Sequence, residues 1–212
     1  MAFRVTGLVP ELWFADTGEI RPASYRVQDG RTFVPLALEG SGSAFVVFRR
    51  AASAQAASVP ELSWEPALTI DGSWEVTFPG IGTVPLATGS WAKAEVAALR
   101  HFSGTAVYRR TLDVPAALVA KGHLMLDLGD VREVARVRIN GEEAGIAWKL
   151  PFRVDVTGRL RPGPNRIEVE VANLWVNHLI DAAKGGPDDA YRPDAPLRES
   201  GLIGPVRILA AR

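Results

Sequence analysis

The stretch from Gly104 to the C terminus constrains the fold most, because apolar and polar residues there alternate with a period of two between turn dipeptides. TAVYRRTLDV, HLMLDLGDV, ARVRING, EEAGIAW, PFRVDV, RIEVEVANLW and GPVRILAA each read as a strand, and Asn140-Gly141 marks a tight turn. In ARVRI, Val137 and Ile139 face one way while Arg136 and Arg138 face the other. In RIEVEV, Ile167, Val169 and Val171 form the inner face, and Glu168 and Glu170 the outer one. Opposite charges on those outer faces suit cross-strand pairing if the strands are neighbours. The pattern predicts an all-β chain that closes as a jelly-roll β-sandwich. No fixed-period repeat supports a propeller or a solenoid.

The first sixty residues carry a thinner version of the same signal. Asp16-Thr17-Gly18 and Asp29-Gly30 mark two hairpins, and SAFVVFRR closes the segment as a buried strand. Two hairpins and a strand make a small core, so this part is expected to lean on something else. AASAQAASVPE (residues 51–61) has small residues without periodicity and reads as a linker. The expected domains are therefore 1–60, a small β-hairpin segment, and 61–212, the sandwich. Beyond the linker, LTIDGSWEVTF suggests a hairpin about Asp71-Gly72, and SWAKAEVAALRHF suggests a short helix capped by Ser90.

Composition removes several function classes. Lysine plus arginine and aspartate plus glutamate both total 24, so no electrostatic footprint for nucleic acid or an anionic membrane exists. Absence of cysteine excludes disulfides, thiolate metal sites and cysteine nucleophiles. No apolar run approaches the roughly 20 residues that span a bilayer, and MAFRVTGLVPELW lacks a signal-peptide layout. The compartment stays open, with a secreted or periplasmic setting for a full-length protein among the choices. There is no GxGxxG opening a helix, no GxxxxGK[ST] and no GxSxG. GSGSA precedes a strand and reads as a turn.

The unusual segment is ANLWVNHLIDAAKGG, where a strand runs on into a connection lasting until Gly204. PFRVDV and RIEVEV are joined by a short connection, which predicts adjacent antiparallel strands. That pairing would place Trp148, Lys149 and Phe152 beside Trp175, Asn177 and His178, on the rim where Gly204 lies. The connection also holds Asp181, Asp188, Asp189, Tyr191, Arg192, Asp194, Arg198 and Glu199. Aromatic faces stack on sugar C–H groups, and planar polar groups bond sugar hydroxyls in pairs. The plainer reading is that Trp175 caps the core and the charges are solvated. Glycoside hydrolysis needs two carboxyl groups roughly 5–9.5 Å apart, and no spacing rule selects a pair among Asp181, Asp188, Asp189 and Glu199. No catalytic residue is assigned. His101, His123 and His178 make no zinc pattern. No cofactor is required; the one cation that the Asp-rich PDDAYRPD stretch would suit is a structural calcium, and it lacks regular ligand spacing.

The combination VRING…G…W…PFRVDVT…L…G.N.IEVEVANLW, with SGTAVYRRTLDVP before it and ESGLIGPVRI after it, resembles a known family. It is similar to the sugar-binding, galactose-binding-like jelly roll of glycoside hydrolase family 2, and closer to the C-terminal region of family 106 α-L-rhamnosidases. VPELWFADTGEIRPASYRVQDGRTFVPLALEGSGSAFVVFRR resembles the stretch after the catalytic barrel of those enzymes. The resemblance implies a galactose-binding-like jelly-roll β-sandwich and a non-catalytic carbohydrate-binding or ancillary role. The catalytic carboxylates would then lie on a barrel of roughly 250 residues, which this sequence does not contain. The alternatives are an active α-L-rhamnosidase-like hydrolase and a structural interaction domain without sugar affinity. The implied partners are a rhamnose- or galactose-containing glycan and other domains of a glycoside hydrolase. The candidate ligand contacts are Trp148, Lys149, Trp175, Asn177, His178, Asp181, Tyr191, Arg192 and Glu199, with Asn177, Asp181 and Glu199 singled out by the resemblance. Where related loops carry Asn-Arg-Leu-Ile-Gly-Asp, this chain reads Asn177-His178-Leu179-Ile180-Asp181.

Overall fold

The computed structural model describes residues 1–186 and 191–212, and the chain divides into two compact units, Met1–Leu62 and Ser63–Arg212. The first unit holds β1 (Ala2–Phe3), β2 (Leu8–Trp13), β3 (Ile20–Pro22), β4 (Tyr25–Gln28), β5 (Arg31–Phe33), β6 (Phe45–Ala51) and β7 (Ala56–Ala57). They form two antiparallel sheets, ordered β1-β5-β4-β7 and β3-β2-β6. Asp29 and Gly30 take φ of 50° and 71°, the left-handed pair that a two-residue turn between β4 and β5 demands. The expected linker is partly ordered, since Ala56 and Ala57 pair with Arg26 and Tyr25. The core here is small: Ala23, Tyr25 and Val34, with Phe3, Leu12, Val46 and Phe48 packed around them. Beside it Glu11 is buried, its carboxylate 2.8 Å from Arg49 and 2.6 Å from Arg50. The hydrogen bonds from Arg49 and Trp13 hold that carboxyl below its usual range.

The second unit contains β8 (Trp64–Thr69), β9 (Trp74–Phe78), β10 (Gly82–Leu86), β11 (Thr105–Val114), β12 (Leu124–Asp127) and β13 (Asp130–Arg132). It continues with β14 (Val134–Ile139), β15 (Glu142–Ala147), β16 (Arg153–Asp155), β17 (Gly163–Ala172), β18 (Gly201–Gly204) and β19 (Arg207–Ala211). Three single-turn or short helices, α1 (Ala97–Arg100), α2 (Ala116–Val119) and α3 (Val176–Ala182), lie in its connections. A six-stranded sheet ordered β10-β9-β11-β17-β14-β15 faces a four-stranded sheet ordered β16-β12-β19-β8, and their inner faces share one core. Val137, Ile139, Ile167, Val169 and Val171 are all within 1% of full burial. The all-β jelly roll read from the alternation is therefore what forms.

The outer face of the six-stranded sheet carries the expected charge pairs. Arg138 stands opposite Glu168 and Arg136 opposite Glu170, with ion pairs of 3.1 Å and 3.5 Å. Arg138 also bonds Glu170, and Arg109 reaches Glu168 at 2.7 Å. At the far end of the sheet, Asn140 donates to the Arg159 carbonyl and to Asn165 Oδ1, and accepts the Arg166 amide. Asn165, fully buried, bonds the backbone of Arg161 and Gly163.

Three local expectations are corrected. PFRVDV and RIEVEV are not neighbours: β16 pairs with β12, and β17 pairs with β11 and β14 in the other sheet. The connection between them crosses from one layer to the other, which alternation alone does not reveal. LTIDGSWEVTF is likewise no hairpin, because β8 pairs with β19 and β9 with β10 and β11. The helix over residues 90–102 breaks into a 3₁₀ turn at Trp91–Lys93 and the single turn α1, and Ser90 makes no side-chain cap. The Ser90 hydroxyl accepts the Ser200 amide instead.

Candidate functional site

Register alone assembles the rim. Thr105 and Val134 both stand opposite Ala172, Ala147 opposite Ala135, and Gly82 opposite Phe78. The β9–β10 turn, the start of β11, the end of β17, the start of β14 and the end of β15 thus share one end of the sandwich. Among the described residues, all nine exposed large hydrophobics of this unit gather here: Ile81, Val96, Val134, Ile146, Trp148, Leu150, Leu174, Trp175 and Leu179. Among the described residues the opposite end exposes none of comparable size. A soluble surface scatters such residues singly, so their concentration at one end marks a contact surface.

The shared rim of Trp148 and Trp175 survives the loss of the hairpin that suggested it, because the β14–β15 pair supplies a different route. Trp148 follows edge strand β15, is half exposed, and carries the Lys149 ammonium 5.4 Å from its ring centroid. Trp175 is 70% exposed and immediately precedes α3. The expected loop therefore contains a helix, whose His178 and Asp181 share a face by their spacing of three. Asn177, in the first turn of the same helix, is buried. Its amide donates to the Arg198 carbonyl and the Ser200 hydroxyl, and accepts the Arg198 amide, all at 2.8–3.0 Å. That side chain ties the two ends of the connection together.

Glu199 pairs with Lys93 at 2.9 Å. The Lys93 hydrogen bond and charge hold the Glu199 carboxyl below its usual range, with a smaller contribution from Arg132. Arg192 and Asp194 pair with each other in solvent, and Tyr191 is half-buried. Asp188 and Asp189 lie outside the described residues. Among the described residues no cluster of three or more His, Asp or Glu side chains is placed to hold a metal ion.

The structure adds residues that the sequence did not single out. A cleft of about 360 Å³ opens between α1, α3 and the β9–β10 turn. His178 and Asp181 line it together with His101, Ser103 and the apolar Pro79, Ile81 and Phe102. His101 Nδ1 lies 3.1 Å from the Asn177 carbonyl and 3.8 Å from Asp181 Oδ1. A carbonyl only accepts, so Nδ1 carries the proton and Nε2 of the neutral ring is an acceptor. The Ser103 hydroxyl is buried and has no hydrogen-bond partner among the described residues. No local signal announces this grouping, since its members come from three separate parts of the chain.

The model of the glycosyl hydrolase 2 galactose-binding domain-like family matches residues 91–199, which include β11 to β17 and the whole of α3. The chain belongs to that galactose-binding-like family. A rhamnosidase from Novosphingobium sp. PP1Y superposes with a TM-score of 0.89 at 41% identity, covering 98% of this chain and 21% of that one. A β-glucuronidase candidate from Formosa agariphila is 35% identical over 178 residues, 66% of this chain and 15% of its own length. A Bifidobacterium dentium β-glucuronidase shares the fold, with a TM-score of 0.52 at 23% identity over 73% of this chain and 31% of its own. This galactose-binding-like chain thus spans about a fifth or less of the first two relatives. The family resemblance read from the residues is borne out.

Proposed function

We propose that this galactose-binding-like chain is a non-catalytic, carbohydrate-associated module of a rhamnosidase-like glycoside hydrolase. The observation that carries the reading is the one-ended surface: among the described residues, every exposed large hydrophobic of the second unit lies on the rim that also presents His178, Asp181 and Lys149. Aromatic faces beside planar polar groups suit a glycan. The aliphatic members, Val134, Ile146 and Leu150, suit contact with the remaining domains of such an enzyme. The Glu199 carboxylate suits binding better than acid catalysis. A glycosidase acid must stay protonated near neutrality, whereas Lys93 keeps Glu199 ionised.

The reading is tested by incubating the purified chain with aryl α-L-rhamnopyranosides and aryl β-D-galactopyranosides while probing a glycan array. No turnover and retention on rhamnose- or galactose-bearing glycans is expected. Turnover that disappears in Glu199→Gln or Asp181→Asn would overturn the reading in favour of an active hydrolase.

A further inference from the structure

Asn140-Gly141 is the one asparagine–glycine pair in the sequence, since Asn165, Asn173 and Asn177 are followed by Arg, Leu and His. The pair matters chemically because a glycine amide has no Cβ to shield it. Its nitrogen can attack the side-chain Cγ of the asparagine before it. The new N–Cγ bond closes a cyclic imide, the Cγ–Nδ2 bond breaks, and Nδ2 leaves as ammonia after taking up the glycine amide proton. Water then opens the imide. Cleavage of the N–Cγ bond gives aspartate, and cleavage at the other carbonyl gives isoaspartate, whose main chain runs through Cγ. The change consumes water, releases ammonia and needs no oxidant or reductant.

The fold bares the attacking group and holds the target. Gly141 is exposed, and nothing lies within 4 Å of the position that a Cβ would take there. Asn140 Nδ2 donates to the Arg159 carbonyl at 3.1 Å and to Asn165 Oδ1 at 2.9 Å, and Asn140 Oδ1 accepts the Arg166 amide at 3.0 Å. Attack turns the planar Cγ tetrahedral and pulls it towards Gly141, so the side chain cannot keep these bonds while it reacts. Conversion therefore waits for the turn to open. The product cannot return to the same place. A carboxylate only accepts, and at this position it would face the Arg159 carbonyl and Asn165 Oδ1, which accept as well. Asn165 cannot flip to offer a donor, because its buried Nδ2 is bonded to the Arg161 and Gly163 carbonyls. Isoaspartate would add a main-chain carbon to a turn set by φ of 54° and 90°. We propose that Asn140 is a modification site, converted to aspartate or isoaspartate when the far end of the sandwich opens, and that conversion prevents that end from closing as before. The site keeps a one-way record of local opening.

The test ages the full chain in mildly alkaline buffer, folded and in guanidinium chloride, and follows tryptic peptide 139–149, which holds no other asparagine. Electron-transfer fragmentation distinguishes aspartate from isoaspartate at residue 140. Conversion in the folded chain is expected to be about tenfold or more slower than in denaturant. Below the unfolding transition it should rise with added denaturant in step with hydrogen exchange at the Arg166 amide. In the unfolded chain, Gly141→Ala is expected to slow conversion about tenfold, because its Cβ shields the attacking nitrogen. Asn140→Asp, which installs the product directly, is expected to lower the denaturation midpoint and to speed Arg166 amide exchange about tenfold. Equal conversion rates in the folded and unfolded chains overturn the proposal, as does an Asn140→Asp chain with the parent's midpoint and exchange. The rate comparison is made on the parent chain and stands even where Asn140→Asp does not fold.

Discussion

Asn177 and Arg198 exchange two hydrogen bonds: the Asn177 Nδ2 donates to the Arg198 carbonyl at 2.8 Å, and the Arg198 amide donates to Asn177 Oδ1 at 2.8 Å. The side-chain amide imitates one rung of an antiparallel ladder and fastens the returning chain to α3. Replacing Asn177 with Ala strands the Arg198 amide, while the Ser200 hydroxyl keeps its bond to the Arg198 carbonyl at 3.2 Å. A loss of about 1–3 kcal/mol in urea denaturation is expected. Limited proteolysis should cut the segment after α3 faster than in the parent chain. Unchanged cleavage would show that the connection is held elsewhere.

Trp175 should behave in the opposite way. With 70% of its surface exposed, it buries little on folding, so Trp175→Ala should shift stability by no more than about 0.5 kcal/mol. Glycan affinity should fall by about 1–3 kcal/mol, as expected when a stacking face is removed. Array signals unaltered by both Trp175→Ala and Trp148→Ala would remove the tryptophans from the sugar surface.

Tyr108 is fully buried and its hydroxyl accepts from Trp91 Nε1 at 2.6 Å and from the Leu202 amide at 3.2 Å. Burial pushes the phenol up to about 12, so the hydroxyl stays neutral well into alkaline solution. Tyr108→Phe keeps the ring and deletes the acceptor, leaving two buried donors unpaired. A cost of about 1–3 kcal/mol follows, read as a lower urea midpoint with an unchanged slope.

Gly201 has a φ of +100°, and a Cβ added there would lie 2.5 Å from Trp91 Nε1. Gly201→Ala combines a left-handed backbone with an overpacked indole and should cost about 2–4 kcal/mol. Gly122 also has a positive φ, but open space surrounds its position, so Gly122→Ala should cost only about 1–2 kcal/mol. Equal losses at the two sites would mean that Trp91 yields freely.

Acid should weaken the sandwich in a defined window. Burial pushes the Glu168 carboxyl up, but the hydrogen bonds from Arg109 and Arg138 outweigh it and the net shift is downward from 4.5. A folded-state pKa below the unfolded one means that the unfolded chain takes up protons first as pH falls. The contribution is therefore complete above 4.5 and is lost as pH drops through the lowered value. Urea midpoints should be flat between about pH 7 and 5 and fall below that. Glu168→Gln should flatten the fall; an identical slope in that variant would assign the acid sensitivity to other carboxylates.

How far the residues themselves announce this molecule differs between faces and layers. The faces were legible: alternation in ARVRI and RIEVEV places each side chain correctly, and the Arg136–Glu170 and Arg138–Glu168 rungs follow from it. The layers were not, because alternation records which side of a strand is buried and says nothing of which sheet it joins. PFRVDV and RIEVEV accordingly pair in opposite sheets. In the rim segment, Asn177 and Asp181 look alike as polar loop residues. One is buried with its amide bonded to backbone, and the other lines a cleft. His101 and Ser103 carry no motif, and only the fold brings them to α3.

The asparagine lock at the far end has a consequence for how such a module can change over generations. Asn140 and Asn165 clasp the turn at Asn140-Gly141 to the strand entry at Gly163 without help from any rim residue. The sandwich therefore has a handle and a working edge. Substitutions along the edge leave the clasp untouched, so the edge can drift while the scaffold stays in register.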